Sequence, residues 1–420
     1  MQHQQAVPLA SGLQARTAAQ AGQSLAGRKA LIIVENLPVP FDRRVWLEAT
    51  TLQKAGAEVA VICPKGKGFS ADYEQLEGIH IYRHTLPADA DSPLGYLREY
   101  SQALWAEFRL SCKIWWRHGF DVIHACNPPD LIFLVALPFK LLGKKFIFDH
   151  HDINPELYEA KFGRRGFLWR LMCFLERRTF ALADVSIATN QSYKQIAVAR
   201  GGMQPDDVYV VRSGPDLRRF TSRPPNASLK KGRRYLLGYV GVMGEQEGID
   251  LLLESVRELV VVRGRRDIQT CLVGGGSSLP KLQATAKDLG VDDYVTFTGR
   301  VSDEELAVAL STADVCVNPD RVNPMNDKST MNKIIEYMAM EKPIVQFDVR
   351  EGRYSAGDAS LYAKANDPID FANKIEELLG DEERRAAMGQ SGRKRVEDEL
   401  SWSHQVPTLI AAYRAAMNMA

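Results

Sequence analysis

Apolar runs of strand length alternate along the chain with stretches of helical period. Ala30 to Val34 (ALIIV) reads as a buried strand. A Pro-rich turn, Asn36 to Arg44, follows it, then a helical stretch through Leu52, a stop at Gly56 and a second strand, Val59 to Cys63. This is a βαβ unit, and the loop after its first strand opens at the carboxyl edge of a parallel sheet, where such sheets bind ligands. Tyr96 to Trp116 predicts a long helix rich in aromatic residues, and Asp121 to Ala125 a strand. Leu131 to Leu142 predicts a buried helix kinked or ended near Pro138. A membrane span takes about 20 apolar residues, more than this run offers. Phe146 to Phe148 is a strand running into Asp149, His150, His151 and Asp152, and Asp184 to Ala188 and Val208 to Val211 add two more.

Pro224 to Arg234 reads as an interdomain linker, and after it the pattern restarts. Leu236 to Val240 is a strand, Ile249 to about Val262 a helix and Thr270 to Val273 a strand ending in Gly274, Gly275 and Gly276. Val295 to Phe297 and Val315 to Val317 are further strands, with a short helix near Glu304 to Leu310 between them. Two βα-repeating halves imply two doubly wound α/β domains facing one another across a cleft. The expected division is a disordered tail over 1–28, a first domain over 29–222, a second over 223–400 and a helix over 401–420 returning to the first.

One stretch of the second half, Ser329 to Phe347, combines a helix and a strand. Met331, Ile334, Ile335 and Met338 make one apolar helical face, with Ser329 or Thr330 as cap, Pro343 as stop and Ile344 to Phe347 as strand. Such a helix start suits a phosphate, with Lys333 adding a full charge and Glu336 one turn on to hold hydroxyls. The bland alternative is a solvated Lys333–Glu336 pair three residues apart.

Composition adds limits. The 420 residues carry a net charge of +1, with 45% apolar and 25% charged residues, which suits a globular chain and gives no global argument for nucleic acid. The six cysteines lack metal-type spacing and read as reduced core thiols of a cytosolic protein. Met1 to Gly27 lacks a continuous apolar stretch and reads as neither signal peptide nor span. The absence of GxGxxG counts against a dinucleotide oxidoreductase. Asp42, Arg43 and Arg44 are either solvated loop charges or cleft residues. His150 and His151 sit at a strand's carboxyl end, where they either contact ligand or bond loop backbone. No carboxylate or histidine at helical spacing supports a metal there. Lys161 to Arg178 places six basic residues against one acid, interleaved with Phe162, Phe167, Trp169 and Phe174. That pattern fits either a packed helix with solvated arginines or a segment lying on an anionic membrane, in which Arg164, Arg165, Trp169 and Arg170 take part.

Five motifs then share one order with family-like gaps: VRSGPDLRRF at Val211 to Phe220, YVGVMGEQEGIDLLL at Tyr239 to Leu253, VTFTGRVSDEEL at Val295 to Leu306, ADVCVNP at Ala313 to Pro319 and EYMAMEKPIV at Glu336 to Val345. Together they resemble the family-4 glycosyltransferases of the two-domain GT-B fold, over nearly all of Lys29 to Met417. DRRVWLEATTLQKAG at Asp42 to Gly56 and HHDINPEL at His150 to Leu157 resemble bacterial members that build cell-surface polysaccharides. The resemblance implies retaining transfer from a nucleotide-sugar, UDP-linked in preference to GDP-linked, to a lipid-linked or polysaccharide acceptor, with no metal or cofactor. It implies that Glu336 holds the ribose, that Asn332 and Lys333 meet the diphosphate beside Gly241 and Gly274, and that Arg300 and Val301 lie by the base. His151, followed by Asp152, matches the family's histidine near the transferred sugar, with His150 as alternate. The implied place is the cytoplasmic face of the plasma membrane.

The sequence also departs from the family. Val242 and Glu247 stand where the family commonly has Arg and Lys on the diphosphate, and Lys328 stands where it has a second glutamate. The expectation is that Lys328, Lys333 and Arg300 supply the phosphate charge from another direction, with Asp327 and Asp320 candidates for the lost sugar contact. Rival readings are a nucleotide-sugar 2-epimerase of the same fold and a donor-incompetent scaffold at the membrane.

Overall fold

The computed structural model describes residues 24–85, 93–217 and 220–419. Most of the expected tail, residues 1–23, lies outside them. Its last residues form a turn in which Leu25 is buried and donates its backbone N–H to Ala55 O at 2.9 Å.

The chain divides into two compact units. The first holds the chain through Pro155, Arg165–Val211 and the stretch from Val406 onward, and the second holds Glu156–Arg164 and Arg212–Gln405. In the first, β1 (Lys29–Ile33), β2 (Glu58–Pro64), β3 (Tyr73–Leu76), β4 (Ile79–His84), β5 (Val122–Cys126), β6 (Lys145–His150), β7 (Val185–Ala188) and β8 (Val208–Val210) form one sheet. Its order is β3-β4-β2-β1-β5-β6-β7-β8, parallel except where β3 pairs antiparallel with β4. The β3–β4 hairpin has no counterpart in the expected elements, because Tyr73–Leu76 is mostly exposed and shows no apolar run. Helices α1 (Arg43–Lys54), α2 (Pro93–Arg117), α3 (Phe133–Leu141), α4 (Asn154–Phe162), α5 (Phe167–Leu182) and α6 (Gln191–Ala199) connect the strands, α4 lying mostly in the second unit.

The second unit is a six-stranded parallel sheet of β9 (Tyr235–Val240), β10 (Ile268–Val273), β11 (Val295–Gly299), β12 (Val315–Asn318), β13 (Ile344–Phe347) and β14 (Ser360–Ala363), in the order β11-β10-β9-β12-β13-β14. Its helices are α7 (Ile249–Arg257), α8 (Leu279–Asp288), α9 (Asp303–Thr312), α10 (Asn332–Ala339), α11 (Arg350–Ala356), α12 (Pro368–Leu379) and α13 (Glu382–Arg395), followed by α14 (Trp402–Ala416), which passes into the first unit. The expected linker is packed on this unit: the backbone N–H groups of Arg223 and Asn226 bond Ser311 and Thr312 at 2.9 Å, and the chain changes units earlier, at Val211 and Arg212.

In both sheets the strand order reverses beside one central strand, β1 or β9, so the loops leaving neighbouring strands diverge and open a crevice at the carboxyl edge. Each candidate site lies at that edge of its own unit.

Candidate functional site

In the first unit the site is organised around Asp149. Alternation along β6 sends successive side chains to opposite faces, which separates Asp149 from His150. His150 is fully buried among Phe148, Phe180 and Tyr193, with Nε2 3.2 Å from Glu176 Oε1, so the alternate histidine is a packing residue. Asp149 faces the other way. Its Oδ1 is 3.1 Å from Arg44 Nη2, and its Oδ2 is 3.2 Å from His124 Nε2 and 2.7 Å from His151 Nε2. Burial alone would raise its pKa, but Arg44, His151 and His124 hold it well below the usual carboxylate range. Arg44 Nε lies 3.0 Å from the same His151 Nε2, so this nitrogen faces the guanidinium as well as the carboxylate, on a side chain that is 15% exposed.

Glu48, one turn after Arg44 on α1, completes the cluster at 3.1 Å from the guanidinium. Burial raises its pKa well above the usual range against the pull of Arg44, and Asp149 adds to the rise. Glu48, His124, Cys126 and Asp149 bring ligand-type atoms within 4.8 Å of one another, yet Arg44 lies beside both carboxylates and already supplies the cation. Asn127 clamps the backbone after β6: its Oδ1 accepts from the N–H of His151 at 2.7 Å and of Asp152 at 3.1 Å, while Nδ2 donates to Asp152 O at 2.7 Å. Burial raises the Asp152 carboxyl.

Asp42 is a helix cap, its Oδ1 accepting from Val45 N at 3.1 Å, and Arg43 is exposed beside it. Arg44 takes the cleft alternative of the Asp42–Arg44 run, on Asp149, whereas Glu48, His124 and Asn127 are candidate-site residues that sequence reasoning did not single out. Their signals are slight: an i,i+4 Arg–Glu pair, and one histidine inside an apolar strand.

The basic aromatic segment packs by one narrow face. The buried face of α5 is Glu176, Thr179 and Phe180. Phe167, Leu168, Leu171 and Phe174 point outward, Phe167 being 78% exposed, alongside exposed Arg165, Arg170, Arg177 and Arg178. Trp169 is half-buried, with the Arg165 guanidinium 5.3 Å above its ring, and Arg164 is exposed on the second unit. The expected buried helix α3, packed against α2 and α5, likewise exposes Leu134, Leu137 and Leu141, with Leu142 just beyond it, and α2 ends with Trp116 88% exposed. No helix among the described residues is long and apolar enough to cross a membrane.

In the second unit the loops after β9 and β10 are pressed together. Gly274 has φ +132°, and a Cβ there would fall 1.9 Å from Gly241 O; a Cβ on Gly276 would fall 2.5 Å from Met243 O. Only glycine permits this approach, which leaves bare backbone at the crevice. Into it reaches Lys333 from the first turn of α10. Its ammonium lies 2.5 Å from Glu247 Oε2 and 2.8 Å from Asp320 Oδ1, and 4.9 Å above the Tyr239 ring. Tyr239 OH donates to Val242 O at 3.0 Å and lies 3.2 Å from Glu247 Oε2. Burial pushes Asp320 up to about 7, whereas Lys333 brings Glu247 below its usual value against the effect of burial. One cation thus serves one carboxylate and one carboxyl near neutrality.

Lys333 is therefore neither solvated nor a free cation for phosphate. Lys328 pairs with Glu156 at 3.1 Å, and Asp327 caps α11 by accepting from Arg350 N at 2.9 Å. The helix begins at Asn332 with Met331 as N-cap and no side-chain cap, so neither Ser329 nor Thr330 takes that place. Asn332 and Arg300 are exposed, Glu336 is half-buried, and Val301 packs partly against Leu236, Cys271 and Val273. Val242 is exposed at the loop tip.

Comparison with known proteins agrees with this architecture. Residues 42–219 match the Glycosyltransferase Family 4 model and residues 234–381 the Glycosyl transferases group 1 model. Among solved structures, sucrose-phosphate synthase from Thermosynechococcus elongatus superposes with a TM-score of 0.77 at 19% identity, covering 92% of this chain and 98% of that one. Anabaena HepE in complex with UDP-glucose gives 0.70 at 15% identity, covering 92% and 99%. The two parallel-sheet units have the GT-B fold, and the chain belongs to the group 1, family 4 glycosyltransferases. A curated relative, D-inositol 3-phosphate glycosyltransferase of Corynebacterium kroppenstedtii, is 25% identical over 252 residues, which span 56% of this chain and 54% of that protein. The chain thus spans about half the length of the first curated relatives it matches.

Proposed function

We propose that this glycosyltransferase moves a sugar, with retention of configuration and without a metal or cofactor, from a nucleotide-sugar to a lipid-linked or polysaccharide acceptor of the cell surface. The second unit binds the donor and the first the acceptor. The observation that carries this reading is the seat of His151: at the carboxyl edge of β6 its imidazole is held through Nε2 by Asp149 at 2.7 Å and stays 15% exposed, placed to meet a sugar hydroxyl. The bare backbone at Gly241 and Gly274 and the uncapped N–H groups at the start of α10 suit a diphosphate, with Glu336 on the ribose. The UDP-glucose complex of HepE favours UDP over GDP.

The leaving diphosphate would be neutralised by those N–H groups and by Arg300, since Lys333 is committed to two carboxylates. That commitment favours a second reading, a donor-incompetent scaffold. Thermal shift with UDP, GDP and UDP-glucose separates the two. Donor binding at 100 times the dissociation constant adds about 2.7 kcal/mol of stability. No shift with any nucleotide, on folded protein, sinks the transferase reading.

The outward apolar face of α2, α3 and α5, edged by Arg165 and Arg170, supports peripheral contact with an anionic membrane at the cytoplasmic face. Sedimentation with anionic vesicles tests it. Phe167→Ser with Leu171→Ser should abolish pelleting, and Arg165→Ser with Arg170→Ser should make it weaker; unchanged pelleting in both removes the face from the argument.

A further inference from the structure

The C-terminal helix reaches the His151 cluster through one side chain. Tyr413 on α14 is buried, and its hydroxyl lies 2.7 Å from Nδ1 of His124. Nε2 of the same ring lies 3.2 Å from Asp149 Oδ2, and that oxygen is 2.7 Å from His151 Nε2. The chain has a direction. Asp149 is ionised and can only accept, so Nε2 of His124 carries a proton, Nδ1 holds a lone pair, and the Tyr413 hydroxyl donates into it. A donor on Nδ1 polarises the imidazole and strengthens the bond its other nitrogen makes to the carboxylate. Asp149 then has less negative charge to offer the ring on its other side.

We propose that Tyr413 is a positioning residue for His151: through His124 and Asp149 it sets how much carboxylate charge faces His151 Nε2. The proposal rests on the reading of His151 given above. The other groups facing this cluster are Asp42, Arg44 and Glu48 from α1, Cys126 from β5 and Asp152 just beyond β6. Arg44 and Glu48 fix the net charge at Asp149, whereas Tyr413 is the uncharged contact that tunes it.

The test is an NMR titration of ring signals in full-length protein labelled on histidine, recorded without donor so that it is independent of glycosyl transfer. Tyr413→Phe keeps the packed ring and removes only the hydroxyl. It should raise the His151 midpoint by about half a pH unit, because Asp149 turns more of its charge toward that ring. His124→Asn, which shortens the donor away from the carboxylate, should raise it at least as far. Asp149→Asn should lower it by about one unit or more. Tyr193→Phe, whose ring packs on His150, should leave it in place. A midpoint unmoved in both Tyr413→Phe and His124→Asn overturns the proposal, and so does a fall in either. A normal relay in a protein that transfers no sugar overturns only the functional reading.

Discussion

The two units bury the same device and finish it differently. In the first, Arg44 sits between Glu48 and Asp149; in the second, Lys333 sits between Glu247 and Asp320. In each, one acid is driven up and the other held down, Glu48 over Asp149 and Asp320 over Glu247. Burial forces this split, because a second unpaired carboxylate in low dielectric would cost several kcal/mol. The ends differ. Arg44 is a planar fork that reaches both oxygens of Asp149, and Oδ2 also meets His124 and His151. Lys333 is a point charge absorbed by its two acids and the Tyr239 ring, and its network closes on itself. The first cluster presents an imidazole at its rim, whereas the second presents backbone.

Removing the cation tests whether the devices are equivalent in stability. Arg44→Met and Lys333→Met should each cost about 3–5 kcal/mol in denaturant unfolding, since both strand buried acids. A loss under about 1 kcal/mol in either would show that its acids simply protonate. His151→Ala tests the difference in their ends. Turnover should fall about a hundredfold or more while donor affinity changes little, whereas Glu336→Ala should weaken donor binding about tenfold. The reverse pattern would exchange the two roles.

The smallest expected effect is a pH dependence confined to the second unit. Asp320 titrates near 7 in the folded chain against 3.8 as its ordinary value. A group raised on folding contributes stability that is complete below its unfolded pKa and lost as pH rises through the folded one. Between pH 6 and 8 the loss should be about 1.4 kcal/mol. Asp320→Asn should flatten that slope, and an unchanged slope would assign the proton elsewhere.

Much of this was legible along the chain. The strand–helix alternation and its restart near Leu236 require two parallel sheets, since a buried apolar run flanked by amphipathic helices has few other solutions. His151 and Asp152 stand out because they end a strand, and the glycines at 241 and 274 because bare backbone is what a loop at a sheet edge needs. The hairpin at Tyr73 to His84 stayed hidden because its outer strand shows no apolar run.

Sequence by itself determined the fold class, the family and the chain position of each candidate site, because periodicity and local spacing are written in consecutive residues. Only tertiary structure decided what the charges do. Arg44 looks like its neighbours Asp42 and Arg43, yet the first is buried on Asp149, the second caps a helix and the third is exposed. Lys333 looks free for a phosphate until residues 86 and 13 positions away close on it. Tyr413 acquires a role only because α14 carries it back to a strand 289 residues earlier. The physical reason is that a charge's state depends on burial and on partners within a few ångströms, and those partners are chosen by the packing of elements far apart in sequence.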